Sequence, residues 1–140
     1  MKGMPLSHFT SAEIEYFASQ RLGRLATVNK AGEPHVVPVT FRYNAELETI
    51  DIGGHGISNS KKFRDILQNA NAAFVIDDVL PPWRPRCVEI RGRAEQVSEG
   101  GQNFGHGFDP EMIRIFPRRI ISFELSTSTG DVPRSSRKVE

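Results

Sequence analysis

The sequence predicts a mainly β protein, a small closed or partly closed barrel with short helices. Three observations point there. Six segments carry strand patterning, and several are joined by tight turns rather than by crossover helices. The helical segments are too short for a doubly wound parallel sheet. A chain of 140 residues has room for one core and no second sheet.

Each element has its local reason. Thr10-Ser11-Ala12-Glu13 has the spacing of a capping box and opens a helix with Ile14, Phe17 and Ala18 on one face, ending near Gln20. Leu22 to Val28 reads as the first strand. Asn29 to Pro34 is a hairpin turn in which Gly32 supplies a positive φ. His35 to Tyr43 is the second strand, and Pro38, which has no N–H to give, places that position at an edge or a bulge. Leu47 to Ile52 is the third. The run from Ser58 to Gln68 predicts an amphipathic helix presenting Phe63, Ile66 and Leu67 on one face. Ala73 to Ile76 forms a fourth strand, and Asp77 to Pro85 reads as a proline-rich loop. Arg86 to Val97 alternates as a fifth strand. Ser98 to Asp109 is a polar, glycine-rich connection, Pro110 to Phe116 predicts one or two helical turns, and Arg119 to Leu125 is a sixth strand. Residues 1–125 thus form one domain. Ser126 to Glu140 is a polar tail without apolar pattern, either flexible or an arm laid over another part.

Composition narrows the function classes. Eighteen Lys and Arg against seventeen Asp and Glu leave a formal charge of +1, unlike a domain built to hold nucleic acid. No apolar run reaches the roughly 20 residues of a membrane span, and Met1 to His8 has no signal-peptide core, so the expected location is the cytoplasm and no membrane partner is expected. Cys87 is the sole cysteine, lies in a strand pattern with no base beside it, and reads as a structural thiol. His8, His35, His55 and His106 lack metal-ligand spacing. Gly101 to Gly107 does not join a strand to a helix and fails as a dinucleotide fingerprint.

The chemistry concentrates between Asp51 and Asp78. A strand end runs into Gly53-Gly54-His55-Gly56, and Ser60-Lys61-Lys62 opens a helix. Backbone N–H groups at a helix N-terminus, hydroxyls and ammonium groups together suit a phosphate. The plain alternative is a solvated helix face preceded by an ordinary glycine loop. Trp83 reads as a core anchor, a dimer contact or a stacking ring. Arg84 and Arg86 could hold an anion as guanidinium forks, or pair with Asp77 and Asp78.

Taken together, these segments resemble the pyridoxamine 5′-phosphate oxidase-like split-barrel superfamily. The likeness is carried by Arg21 to Val28, Gly32 to Val39, Ile52 to His55, Ser60 to Ile66, Ala72 to Asp78, Pro82 to Gly92 and Ile115 to Phe123. Trp83-Arg84-Pro85-Arg86 and Pro117-Arg118-Arg119 resemble the branch described as using coenzyme F420, a deazaflavin. The resemblance implies a six-stranded antiparallel split barrel of the FMN-binding type, homodimeric, with the cofactor in a groove at the dimer interface. It implies an oxidoreductase moving a hydride between reduced F420 and a small organic acceptor. An FMN-dependent enzyme, or a non-catalytic binder of flavin or a tetrapyrrole, is the alternative. Carried over residue by residue, Ser60, Lys61 and Lys62 hold the phosphate, the segment Pro38-Val39-Thr40-Phe41 lies under the ring, Gly53, Gly54 and His55 lie near its linker, and Trp83 and Arg84 contact the cofactor. Tyr43 or His55 could supply a proton. In relatives the position of Asp65 is often Asn, and this departure keeps Asp65 out of the set.

Overall fold

The computed structural model describes residues 7–127, 130–132 and 134–139. The segment Met1 to Leu6, read above for a leader, lies outside the described residues, as do positions 128, 129, 133 and 140 of the polar tail. Helix α1 (Ser11–Ser19) is opened by the expected capping box: the Thr10 hydroxyl accepts from Glu13 N–H, and the Glu13 carboxylate accepts from Thr10 N–H. Strands β1 (Leu22–Val28), β2 (Pro34–Asn44) and β3 (Thr49–Gly53) form a meander. A short 3₁₀ turn (Ile57–Asn59) leads into α2 (Lys61–Gln68). Strands β4 (Asn71–Leu80), β5 (Arg84–Val97) and β6 (Met112–Phe123) follow. β7 (Leu125–Thr127) and β8 (Gly130–Val132) make a small hairpin, and β9 (Ser135–Lys138) completes the order.

All pairings are antiparallel, in the order β3-β2-β1-β4-β5-β6. Residues Ile113 to Ile115 of β6 return to pair with β3, which closes a six-stranded barrel. The other half of β6, Arg119 to Ser122, pairs instead with β9. The barrel is filled by Leu25, Ile50, Ile52, Phe74, Ile76, Val88, Ile90, Ile113, Ile115 and Ile120, all fully buried. α1 closes one mouth with Phe17 against Phe41 and Tyr43, and α2 packs at the other through Phe63 and Ile66.

Four expectations are corrected. Pro110 to Phe116 is not helical, because Ile113 and Ile115 alternate into the core as part of β6. Pro117 is accommodated there by a bulge opposite Arg91 and Gly92, where a Cβ on Gly92 would sit 2.1 Å from the Phe116 carbonyl oxygen. Asp77 to Pro85 is not a loop: β4 runs to Leu80 and β5 begins at Arg84, the register being fixed by Asp78 opposite Arg86. Helix α2 begins at Lys61 rather than Ser58, and Leu67 is 72% exposed, while Asp65 is buried in its stead. α2 turns the stripe through Phe63 and Ile66 onto the barrel and leaves Leu67 to solvent. Pro38 sits where expected, on the stretch of β2 beyond the reach of β3, whose pairing starts at Thr40.

The tail is tied to the barrel at β9. Arg137 donates to both oxygens of Glu13, which is fully buried, and to the carbonyl of His8. The charge that a capping box buries at the start of α1 is thus neutralised from the far end of the chain.

Candidate functional site

Strand alternation sorts the residues expected under a ring. Pro38 and Thr40 face outward from β2, and Val39 faces the core at 5% exposure, so its side chain does not reach the outer surface. Thr40 lies opposite Gly53 at the end of β3. A Cβ on Gly53 would stand 2.7 Å from the Phe104 ring, so the glycine admits that ring to the outer face of the sheet. Phe104 lies under the Arg42 guanidinium, 4.7 Å from ring centroid to Cζ, and stacks on Phe108 at 5.7 Å. Phe108 in turn packs on His55 at 4.3 Å. The imidazole Nδ1 is 2.8 Å from the Gly107 carbonyl, which can only accept, so Nδ1 carries the proton and Nε2 is left for other partners.

Asp109 staples the two loops. Its carboxylate accepts from Gly56 N–H, Ser58 N–H and the Ser58 hydroxyl, and its own N–H donates to Gly54 O. The hydrogen bonds from Gly56 and Ser58 hold the Asp109 carboxyl below the usual carboxylate range. Pro38, Thr40, Gly53, Gly54 and His55 thus share one surface with Arg42, Phe104, Phe108 and Asp109. Sequence reasoning missed the last four. The glycines at 105 and 107, with φ of +156° and +85°, were the available signal that 101–109 folds back as a compact turn.

The three residues expected at a phosphate have three different environments. The Ser60 hydroxyl donates to Ile57 O at 2.6 Å and accepts from Phe63 N–H at 3.3 Å, so it serves as the N-cap of α2. Lys61 Nζ lies 3.1 and 3.2 Å from the two oxygens of Asp65. Lys62 is half-buried, burial alone pulls its pKa below the ordinary lysine value, and among the described residues no carboxylate approaches within 4 Å of its amine. The N–H groups of Lys61 and Lys62 lie in the first turn, where a helix offers them no internal acceptor.

Trp83 and Arg84 lie elsewhere. Trp83 is 75% exposed at the tip of the β4–β5 hairpin, which rules out a core anchor. That tip extends past the Leu22 end of β1, since Arg24 pairs with Val75 and reaches Asp77 at 3.2 Å. α2 packs at the Thr27 end, five residues or about 17 Å along the same strand. One chain therefore does not bring Trp83 and Lys62 together. Arg86 does pair with Asp78, as the second reading of that arginine had it, and Tyr16 donates to the same carboxylate at 2.8 Å. Cys87 is half-buried, and burial with Asp77 and Glu89 nearby pushes its thiol up to about 11, which removes it as a nucleophile at neutral pH.

The family model described as pyridoxamine 5′-phosphate oxidase matches residues 10–131. The chain belongs to the pyridoxamine 5′-phosphate oxidase family. Within it, the chain is 45% identical over 126 residues to a 5a,11a-dehydrotetracycline/5a,11a-dehydrooxytetracycline reductase of Streptomyces rimosus, covering 87% of this chain and 89% of that one. Among solved structures, a FAD-binding protein of Mycobacterium smegmatis superposes with a TM-score of 0.62 at 20% identity, covering 81% of this chain and 93% of that one. A haem-binding protein of the same organism superposes with a TM-score of 0.62 at 16% identity, covering 97% of this chain and 59% of that one. These likenesses at low identity establish the split-barrel fold. Among the described residues, no helix is long and apolar enough to cross a membrane.

Proposed function

We propose that this chain is a cofactor-dependent oxidoreductase that moves a hydride between a reduced deazaflavin of the F420 type and a small organic acceptor. The observation that carries the reading is the 45% identity, along nearly the whole of both chains, with a reductase. The residues present fit an anionic, ring-bearing coenzyme. Lys62 is a half-buried cation without an acidic partner among the described residues, beside free first-turn N–H groups. Pro38 and Thr40 offer an outward-facing floor, and Gly53 leaves room for the Phe104–Phe108 shelf next to it.

When bound, a reduced flavin or deazaflavin would supply the hydride. The chain's own residues position and screen. Lys62 binds the phosphate, and Ser60 keeps α2 capped so that its N–H groups stay aimed. The aromatic shelf excludes water from one side, and Arg42 adds positive charge there. His55 Nε2 is placed to exchange a proton with the acceptor or with solvent; Tyr43, packed among Phe9 and Phe17, is less exposed. The groove is completed by a second copy. Trp83 and Arg84, remote from Lys62 in their own chain, would reach the partner's site. Exposed Val36, with Ala26, Ala73 and Val75, lines an open cleft of about 280 Å³ between Arg24 and Glu89, and exposed Val79 lies further along β4, which gives the outer sheet a largely apolar face for that contact.

FMN in the same groove is the second reading, since its phosphate would meet the same lysine and this fold includes a FAD binder. Titration with F420 and FMN side by side tests both. A micromolar Kd for F420, with turnover of a dehydrotetracycline-type acceptor by the reduced coenzyme, is the expected result. Tight FMN with no F420 binding selects the second reading. Binding without turnover of any acceptor points to a non-catalytic flavin or tetrapyrrole carrier, and binding of neither coenzyme removes the oxidoreductase reading. Light scattering at micromolar concentration should give a dimer mass.

A further inference from the structure

We propose that Asp65 sets the affinity of the phosphate site by competing with the phosphate for Lys61. The inference rests on the reading that the start of α2 receives the coenzyme's phosphate.

The two adjacent lysines are not equivalent. The Asp65 side chain is 6% exposed, and Lys61 Nζ meets both its oxygens, at 3.1 and 3.2 Å. On its other side the carboxylate accepts from the Thr27 hydroxyl at 3.0 Å, which anchors it to β1. Lys61 is the only cation paired with Asp65 among the described residues. A carboxylate buried to this degree holds its counter-ion firmly, because losing it leaves an uncompensated charge in a poor solvent. Lys61 is therefore already spent, whereas its neighbour Lys62 has no such partner among the described residues.

A phosphate arriving at the first turn of α2 faces two options. It can share the Lys61 ammonium with Asp65, which sets two anions about one cation. Alternatively it can draw the ammonium away and strand the carboxylate. Either costs affinity. A neutral amide at position 65 removes both costs: its carbonyl oxygen still accepts from Thr27, and Lys61 is left charged and unpaired. Asp65 touches no coenzyme in this scheme. It acts through Lys61 as a positioning residue that weakens the site.

The test compares FMN with riboflavin, which has the same ring and no phosphate, by fluorescence titration of the full chain. Asp65→Asn is expected to tighten FMN about tenfold, equivalent to about 1.4 kcal/mol, with riboflavin shifted less than about twofold. In the double variant Asp65→Asn/Lys61→Ala the gain should vanish. An FMN affinity unchanged or weakened by Asp65→Asn overturns the proposal. So does an equal gain for riboflavin, which would locate the effect at the ring, or a gain that survives loss of Lys61. Asp65→Ser, also neutral, serves if Asp65→Asn folds poorly by circular dichroism. If the unmodified chain binds neither FMN more tightly than riboflavin nor F420 more tightly than its phosphate-free form, the phosphate site itself is wrong and the proposal falls with it; a phosphate increment that Asp65→Asn leaves untouched, read on whichever coenzyme binds, sinks the proposal alone.

Discussion

Replacing Lys62 with methionine should make the protein more stable and a worse binder at once. Burial is the sole cause that lowers the Lys62 pKa, so the charged form is less favourable in the fold than in the unfolded chain. The sign follows from linkage. At neutral pH the lysine is charged in both states and subtracts from stability. The penalty eases as pH rises through the depressed folded value toward the ordinary one near 10.4. Methionine keeps the apolar stem and removes the charge. For a domain of this size each kcal/mol relieved raises Tm by about 3–5 °C. Binding moves the other way. A hydrogen bond between a cation and a phosphate contributes about 1.5–3 kcal/mol, so FMN or F420 should bind about 10- to 100-fold more weakly. The assay is a thermal melt of the free protein beside a fluorescence titration with FMN and riboflavin. An unchanged FMN affinity refutes the placement of the phosphate. Stability and affinity falling together would show that Lys62 has a structural partner, contrary to the geometry.

Gly53→Ala should drive a methyl into Phe104, 2.7 Å away, and because that ring is held between Arg42 and Phe108 the cost is about 1–3 kcal/mol; a melt with no shift would mean the shelf gives way freely. Arg137→Ala leaves the buried Glu13 carboxylate without its cation, and a loss of about 3–5 kcal/mol in urea unfolding is expected, whereas a loss under about 1 kcal/mol would show β9 to be dispensable. Asp78 is held below the usual carboxylate range chiefly by Arg86, so its contribution to stability is present above about pH 4 and is lost as pH falls through the depressed value. Asp78→Asn should therefore lower stability at pH 7 and flatten the acid limb of the stability–pH curve, and parallel acid limbs for the two proteins would count against it.

The parts of this fold that could be read from the sequence are those whose cause is local. The capping box at Thr10, the turn at Gly32, the edge position of Pro38 and the alternating strands each follow from a few neighbouring residues. Ile113 and Ile115 show where that logic stops. Their period of two is in the sequence, yet the stretch from Pro110 to Phe116 reads by itself as one or two helical turns. What makes room for proline within β6 is a bulge at Arg118, and it needs Gly92 on another strand, which has no Cβ to meet the Phe116 carbonyl. The same division runs through the site. Pro38, Thr40, Gly53 and His55 are grouped by the family resemblance, and the pairing of β2 with β3, which sets Thr40 opposite Gly53, is the physical reason that they share a face. Phe104, Phe108 and Asp109 are some fifty residues further on, and nothing near them in the chain says that they return to Gly53 and His55. The lysines make the point most sharply. Ser60-Lys61-Lys62 reads as three equal phosphate ligands until Asp65 and Thr27 are placed. One side chain is then a helix cap, one is the counter-ion of a buried acid, and one has no acidic partner among the described residues. A motif fixes which groups stand close to a ligand; the groups packed behind it decide which of them the ligand can have.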